Sequence, residues 1–281
     1  MKASSINSTP TITIRPMRGW VPINLKDLWV YRELLYFLTW REIKVRYKQT
    51  VLGFAWAILQ PLFMMIVFTL FFGELAGLKE RTGGIPYPLF NYAALLPWTL
   101  FAEGIMRSSN SLVQDQNLVK KVYFPRLVMP LSGILSPLVD FAIAFIILIG
   151  MMFYFGYPPT IKILMLPVFI LLALLTSLGV GLWLSAINAK YRDVRYVIPF
   201  LIQLWLFASP VVYSSSLLPK QFQVIYGLNP MAGVIEGFRW TLLGTEPPAS
   251  LIAISATIVV MILISGAFYF RYNERTFADV I

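Results

Sequence analysis

The chain has 281 residues, of which 58% are hydrophobic and 13% charged, with a mean hydropathy of +0.72. Soluble domains carry about 25% charged residues, so this composition reads as an integral membrane protein. The absence of Cys and His excludes disulfides, thiolate zinc sites, Cys or Ser-His nucleophiles and histidine proton relays. The formal charge of +10 is first assigned to membrane orientation, with no nucleic-acid partner expected.

Residues 1–24 are expected to form an N-terminal tail. Its first 20 residues are Ser/Thr-rich with Arg15 and Arg18, and no apolar core or small-residue cleavage site follows closely. A cytoplasmic start without a cleaved signal is expected. Residues 25–53 are apolar but too charged to span, and read as an interface helix. On a helical wheel Lys26, Asp27, Glu33, Arg41, Lys44 and Lys48 share one arc, while Leu25, Leu28, Trp29, Leu35, Tyr36, Leu38, Ile43 and Tyr47 supply the mix that settles at headgroup depth. Val30, Leu34 and Phe37 intrude on the charged arc, so a break inside the helix is compatible with the pattern.

The transmembrane region is placed at 54–281. A bilayer core of about 30 Å takes about 20 helical residues, and six stretches meet that length: 54–73, 88–106, 128–155, 163–188, 197–215 and 250–270. Pro130 and Pro137 are positioned to bend the third. In this register 18 Lys and Arg lie on the side of the N-terminus and five on the other: Lys79, Arg81, Lys162, Lys220 and Arg239. Positive residues are retained inside, so the predicted topology is N-in, C-in.

Between the second and third stretches, residues 115–126 are too polar to stay in lipid. They read as a short docking helix with Leu118, Val119 and Val122 inward, Asn117, Lys120 and Lys121 toward the cytoplasm, and Pro125 as its end. Basic loops also serve topology alone, and the compact pattern ending in Phe124-Pro125-Arg126 favours docking. Residues 216–249 read as two short amphipathic helices broken at Asn229-Pro230, dipping into the outer leaflet.

Aromatic faces bind sugar rings without demanding one hydroxyl pattern. Trp56, Phe63, Tyr92, Trp98, Trp205, Phe207 and Tyr213 are therefore channel-lining candidates, against the alternative that membrane aromatics pack on neighbours or form interface belts. Two acids fall within the stretches. Glu103 has Arg107 four residues on, a natural ion pair. Asp140 has no basic residue within a turn of its own helix, so it turns to another helix, a water-filled cavity or a dimer mate; a structural hydrogen bond is the first reading and channel lining the second. No Gly-x-x-x-x-Gly-Lys-Ser/Thr phosphate loop occurs in the 281 residues, so any ATP used is hydrolysed by another chain.

Residues 40–53, Trp40-Arg41-Glu42-Ile43-Lys44-Val45-Arg46-Tyr47-Lys48-Gln49-Thr50-Val51-Leu52-Gly53, with Trp56 and Gln60-Pro61, resemble the start of ABC-2 type export permeases. These are the membrane subunits of ABC transporters for O-antigen, capsule and teichoic acid polymers. Asn117-Leu118-Val119-Lys120-Lys121 with Phe124-Pro125-Arg126 looks like that family's coupling helix, Tyr191-Arg192-Asp193-Val194 like its second cytoplasmic loop, and Asn229-Pro230-Met231, near Tyr226, like its outer gate region. The resemblance covers roughly residues 25–281. It implies an all-α membrane protein of six transmembrane helices with outer re-entrant gate helices, working in a bacterial or archaeal plasma membrane. It further implies a homodimer with two ATPase subunits, which alone hold ATP and Mg, passing a polyprenyl-linked polysaccharide through a central channel, with membrane lipid around it. Arg41, Lys44, Arg46 and Lys48 would lie on its interface helix.

Two other classes compete. An ion-coupled carrier using Asp140 needs no partner, but no inverted repeat is visible. A lipid-sugar transferase would require paired acids, a metal site or a basic catalytic group facing the headgroups, and no acid pair is found.

Overall fold

A computed structural model describes residues 25–48, 53–217, 219, 222, 225–247 and 249–277. The tail assigned to residues 1–24 and the motif residues Gln49-Thr50-Val51-Leu52 lie outside the described residues. Among those described, the regular elements are helices and there is no strand.

The interface segment is two helices, α1 (Leu25–Val30) and α2 (Arg32–Lys48), broken at Tyr31. The stripe of α2 toward the rest of the protein is mixed. Leu38 is buried, while Glu42 and Arg46 make polar contacts with later helices; Tyr36, Phe37, Trp40 and Val45 are exposed. The side chains of Leu25 and Asp27 lie outside the described residues.

α3 (Gly53–Phe68) runs on through a wider π turn, Thr69–Leu75. A turn region with left-handed Gly77, Gly83 and Gly84 then leads into α4 (Tyr87–Gln114). α5 (Gln116–Lys121) follows. α6 (Val128–Leu135) and α7 (Pro137–Tyr154) are separated at Ser136, where the proline lacks an N–H for the continuing ladder. α8 (Leu166–Lys190) and α9 (Val194–Phe207) meet at a tight junction, and α10 (Pro230–Leu243) and α11 (Ala249–Asn273) complete the order.

Four of these runs are long and apolar enough to cross a membrane: Ala55–Leu75, Val128–Tyr154, Ile161–Lys190 and Ser250–Thr276. The two other stretches taken from the sequence differ for physical reasons. α4 is long but carries Asn91, Glu103, Arg107, Asn110 and several serines, because it is the central helix, packed against α3, α6, α7, α8 and α10. Its surface meets protein on most sides. α9 ends at Phe207, and residues 208–214 turn irregularly through Pro210, so the stretch 197–215 is not one helix.

α10 also departs from expectation. An amphipathic helix would show an exposed polar face, yet every residue of α10 except Trp240 is buried, among α4, α8 and α11. The first of the two outer helices falls largely on residues 218–224, several of which lie outside the described residues.

The apolar interior has two parts. The larger joins α4, α7, α8, α9 and α10. The smaller lies at the end of the bundle carrying α5, and draws on Leu38, Leu112, Val119, Phe124, Leu182 and Phe270. Helices approach closely where glycine allows: a Cβ at Gly179 would sit 2.8 Å from the backbone nitrogen of Leu263 on α11, and one at Gly133 2.8 Å from that of Ser108 on α4. Real Cβ atoms do not come so near, and a backbone cannot swing aside as a side chain does, so these crossings require the missing side chain.

Candidate functional site

α5 presents a charged outer face on an apolar footing. Asn117, Lys120 and Lys121 are exposed, Leu118 is half-buried, and Val119 is fully buried. The helix ends at Lys121 and not at Pro125, because Val122, three residues ahead of the proline, is already extended (φ −124°, ψ 134°). This reorders the inward set. Val122 is exposed, and Phe124 takes the inside place at 3% exposure. Burying Val119 and Phe124 contributes about 1.5–3 kcal/mol each.

Polar contacts tie the flanks of α5 to two other helices. On one side Arg41 of α2 pairs with Asp115, which immediately precedes α5. On the other the backbone N–H of Arg126 donates to Glu274 Oε1 at 3.0 Å, while Arg271 Nη1 of α11 donates to Glu274 Oε2 at 2.5 Å. Arg126 folds over the Phe124 ring at 5.1 Å and donates to the Val122 carbonyl at 2.9 Å. An exposed pair such as Arg41–Asp115 is worth at most about 1 kcal/mol. The apolar footing therefore holds α5, and the ion pairs set its direction.

A second polar group fastens α2 to the bundle. Arg46 pairs with Asp140 on α7 and lies 3.8 Å from Glu103 on α4, which Arg107 meets at 3.3 Å. Tyr47 donates its hydroxyl to Asp140. Two guanidiniums thus meet two carboxylates. Burial first, and then the bond to Asp140, hold the Tyr47 phenol far above its usual range, so it serves as a donor. One helical turn earlier, Glu42 accepts from Ser136 Oγ at 2.8 Å and from Ser132 Oγ at 3.4 Å. The pair read from sequence, Glu103–Arg107, is present; the Asp140 partner comes from a residue 94 positions away. Lys44 stands over the Trp40 ring at 5.3 Å and Lys48 is exposed.

The aromatic candidates divide. Trp56, Phe63 and Phe207 are exposed at 51%, 57% and 53%. Tyr92 and Trp98 are core residues: Tyr92 donates to the Ala144 carbonyl at 3.3 Å and Trp98 packs on Phe101 with ring centres 5.3 Å apart. They are enclosed by neighbouring helices in this conformation and line no open surface.

Trp205 and Tyr213 join a polar group at the start of α10. Asn229 Oδ1 accepts from Trp205 Nε1 and from the Met231 N–H, both at 3.0 Å, while its Nδ2 donates to the Ala208 carbonyl at 3.0 Å and to Ser209 Oγ at 2.9 Å. Every polar capacity of that amide is used. The Tyr213 and Tyr226 hydroxyls lie 2.7 Å apart, and Pro230 is buried.

Sequence reading missed the centre of this group. Arg239, counted above as an outer-loop cation, is fully buried. It donates to the carbonyls of Pro210 (2.6 Å), Val211 (2.7 Å), Tyr213 (3.1 Å) and Phe90 (3.3 Å), pairs with Glu236 at 3.5 Å, and stacks over the Phe90 ring. The available signal was the i, i+3 spacing of Glu236 and Arg239 inside an apolar run.

The pattern of ABC-2 type transporters matches residues 33–243. The chain belongs to the ABC-2 type transporter family. It is 30% identical over 265 residues to an O-antigen export system permease protein, RfbA, of Myxococcus xanthus, covering 92% of this chain and 98% of that protein. It is 27% identical over 250 residues to RfbA of Klebsiella pneumoniae, covering 89% and 95% respectively. It is also 25% identical over 201 residues to the polysialic acid transport protein KpsM of Escherichia coli, covering 70% and 76%. As a member of this family it is a multi-pass membrane transport subunit.

Proposed function

We propose that the chain is the membrane-spanning subunit of an ATP-driven exporter of polyprenyl-linked polysaccharide, of O-antigen, capsule or teichoic-acid type, in a bacterial inner membrane. The observation that carries the reading is the correspondence along nearly the whole length of two O-antigen export permeases. In this reading two copies assemble around a channel, each with six spans and both ends inside, and each engages one ATPase subunit that supplies ATP and Mg chemistry.

The geometry supports a mechanical role for α5. Its exposed Lys120 and Lys121 receive the ATPase, and its flanks pass the displacement to α2 through Asp115–Arg41 and to α11 through Glu274. At the opposite end Trp205, Tyr213, Tyr226, Asn229 and Pro230 form the outer closure, steadied by Arg239. Trp56, Phe63 and Phe207 offer the exposed rings suited to a sliding polymer. A carrier site at Asp140 is disfavoured, because Arg46 and Tyr47 already occupy that carboxylate. Deleting the protein should abolish surface polysaccharide and leave lipid-linked polymer inside the cell; unchanged surface polymer without internal accumulation refutes the reading.

A further inference from the structure

The α8–α9 junction carries three cations within six residues, Lys190, Arg192 and Arg195, all exposed. Among the described residues none of them forms an ion pair with a carboxylate, in contrast to Arg41, Arg46, Arg107 and Arg271. Asp193 is the single acid among them. Lys190 lies over the ring of its own neighbour Tyr191 at 5.4 Å. Arg195 lies over that of Tyr196 at 4.7 Å and donates to its hydroxyl at 2.7 Å.

A groove of about 450 Å³ starts beside these cations. It runs between α9 and the paired α4 and α8, lined by Ile105, Val180, Leu184, Ile198, Ile202 and Trp205 among others. The indole N–H of Trp205 is spent on Asn229, so the lining offers only apolar surface. Arg195 precedes Ile198 by three residues and Lys190 follows Leu184 by six, which at 1.5 Å per residue puts their backbone positions about 4.5 and 9 Å beyond the same end of the groove.

We infer that this junction and groove hold one amphiphile, a polyisoprenyl diphosphate, with its diphosphate on Lys190, Arg192 and Arg195 and its isoprenoid chain along α9. Three unpaired cations against one acid match a polyanionic headgroup, and guanidiniums bind phosphate oxygens through paired hydrogen bonds. The apolar groove fits a hydrocarbon and offers nothing to a sugar. The inference rests on the export reading above and assigns this location to the lipid end of its cargo.

The test uses the chain purified with its ATPase in nanodiscs. A polyisoprenyl diphosphate with a photoreactive group on the isoprenoid should label wild-type protein within 180–208; labelling confined to other helices overturns the inference. Binding of the unlabelled diphosphate, read by native mass spectrometry, should weaken about tenfold or more in R192Q/R195Q and also in Leu201→Trp, at a further residue of the groove lining, which fills the groove. The headgroup-free polyisoprenol should bind wild type and R192Q/R195Q alike. Unchanged diphosphate affinity in both variants overturns the inference, as does equal displacement by phosphatidylglycerol, which would mark an ordinary phospholipid contact. Loss of the ATPase from R192Q/R195Q with lipid affinity retained would assign the cations to ATPase docking and also overturn it. Any of these results with polymer export intact leaves the export reading standing, whereas normal surface polymer in the deletion strain refutes that reading by itself.

Discussion

Asp140 and Asn229 illustrate two ways in which a polar side chain is kept in an apolar bundle. Asp140 is neutralised from another helix by Arg46 and Tyr47, so removing either member of the ion pair strands the other. Arg46→Ala and Asp140→Ala should each lower the unfolding temperature of the purified chain, and the double variant should lose less than their sum, with a coupling of about 1–2 kcal/mol. Strict additivity would show that the pair does not hold α2 to the bundle. Asn229 is saturated by four hydrogen bonds within the group at the start of α10. Asn229→Ala leaves the Trp205 indole without its acceptor and removes the α10 N-cap, and should cost roughly 1–3 kcal/mol; an unchanged melting curve would remove Asn229 from the closure. How far such sites can be read from sequence depends on spacing. Glu103–Arg107 is visible because a helix brings residues four apart together, whereas Arg46 and Asp140 meet only through the tertiary packing of α2 on the bundle.

At the level of the element, α5 presents two distinct faces that a single loop would blur. Its charges face outward and its footing faces inward, so substitutions on the two faces should fail in different ways. Lys120→Glu/Lys121→Glu should abolish co-purification of the ATPase in mild detergent while leaving the melting temperature close to wild type. Phe124→Ala should lower stability by about 3–5 kcal/mol, with loss of the partner only as a consequence. If the charge reversal keeps the ATPase, α5 is not its docking element. The same division explains what the sequence concealed here: the pattern 115–126 announced a helix and its charged face, but Val122 and Phe124 are equally apolar, and only the extended backbone before Pro125 decides which of them turns inward. Aromatic residues raised a similar difficulty. Tyr92 and Trp98 have the composition of a sugar-binding surface, and burial against α7 and Phe101 is what distinguishes them from Trp56 and Phe63.

Across the whole molecule, the all-helical membrane class followed from composition, because bilayer thickness translates directly into apolar run length. The count of crossings did not, since α4 and α9 obey packing before hydropathy. The chain's lack of cysteine permits a direct test of topology. Single cysteines at Lys79 and Lys162 should react with a membrane-impermeant maleimide added outside intact cells, and those at Lys121 and Arg275 only after permeabilisation; all four positions are exposed on the protein. Labelling of Lys121→Cys in intact cells would invert the orientation. The position of α4 also bears on how the protein is made. The translocon admits segments one at a time and judges each by hydrophobicity, and α4, with Asn91, Glu103 and Arg107, is a segment it is little disposed to admit alone. Its largest packing partner, α8, emerges only after α5, α6 and α7 have been synthesised. The central helix is therefore a late client of its own neighbours, and nascent chains cut short before α8 should be the forms that membrane quality control removes first.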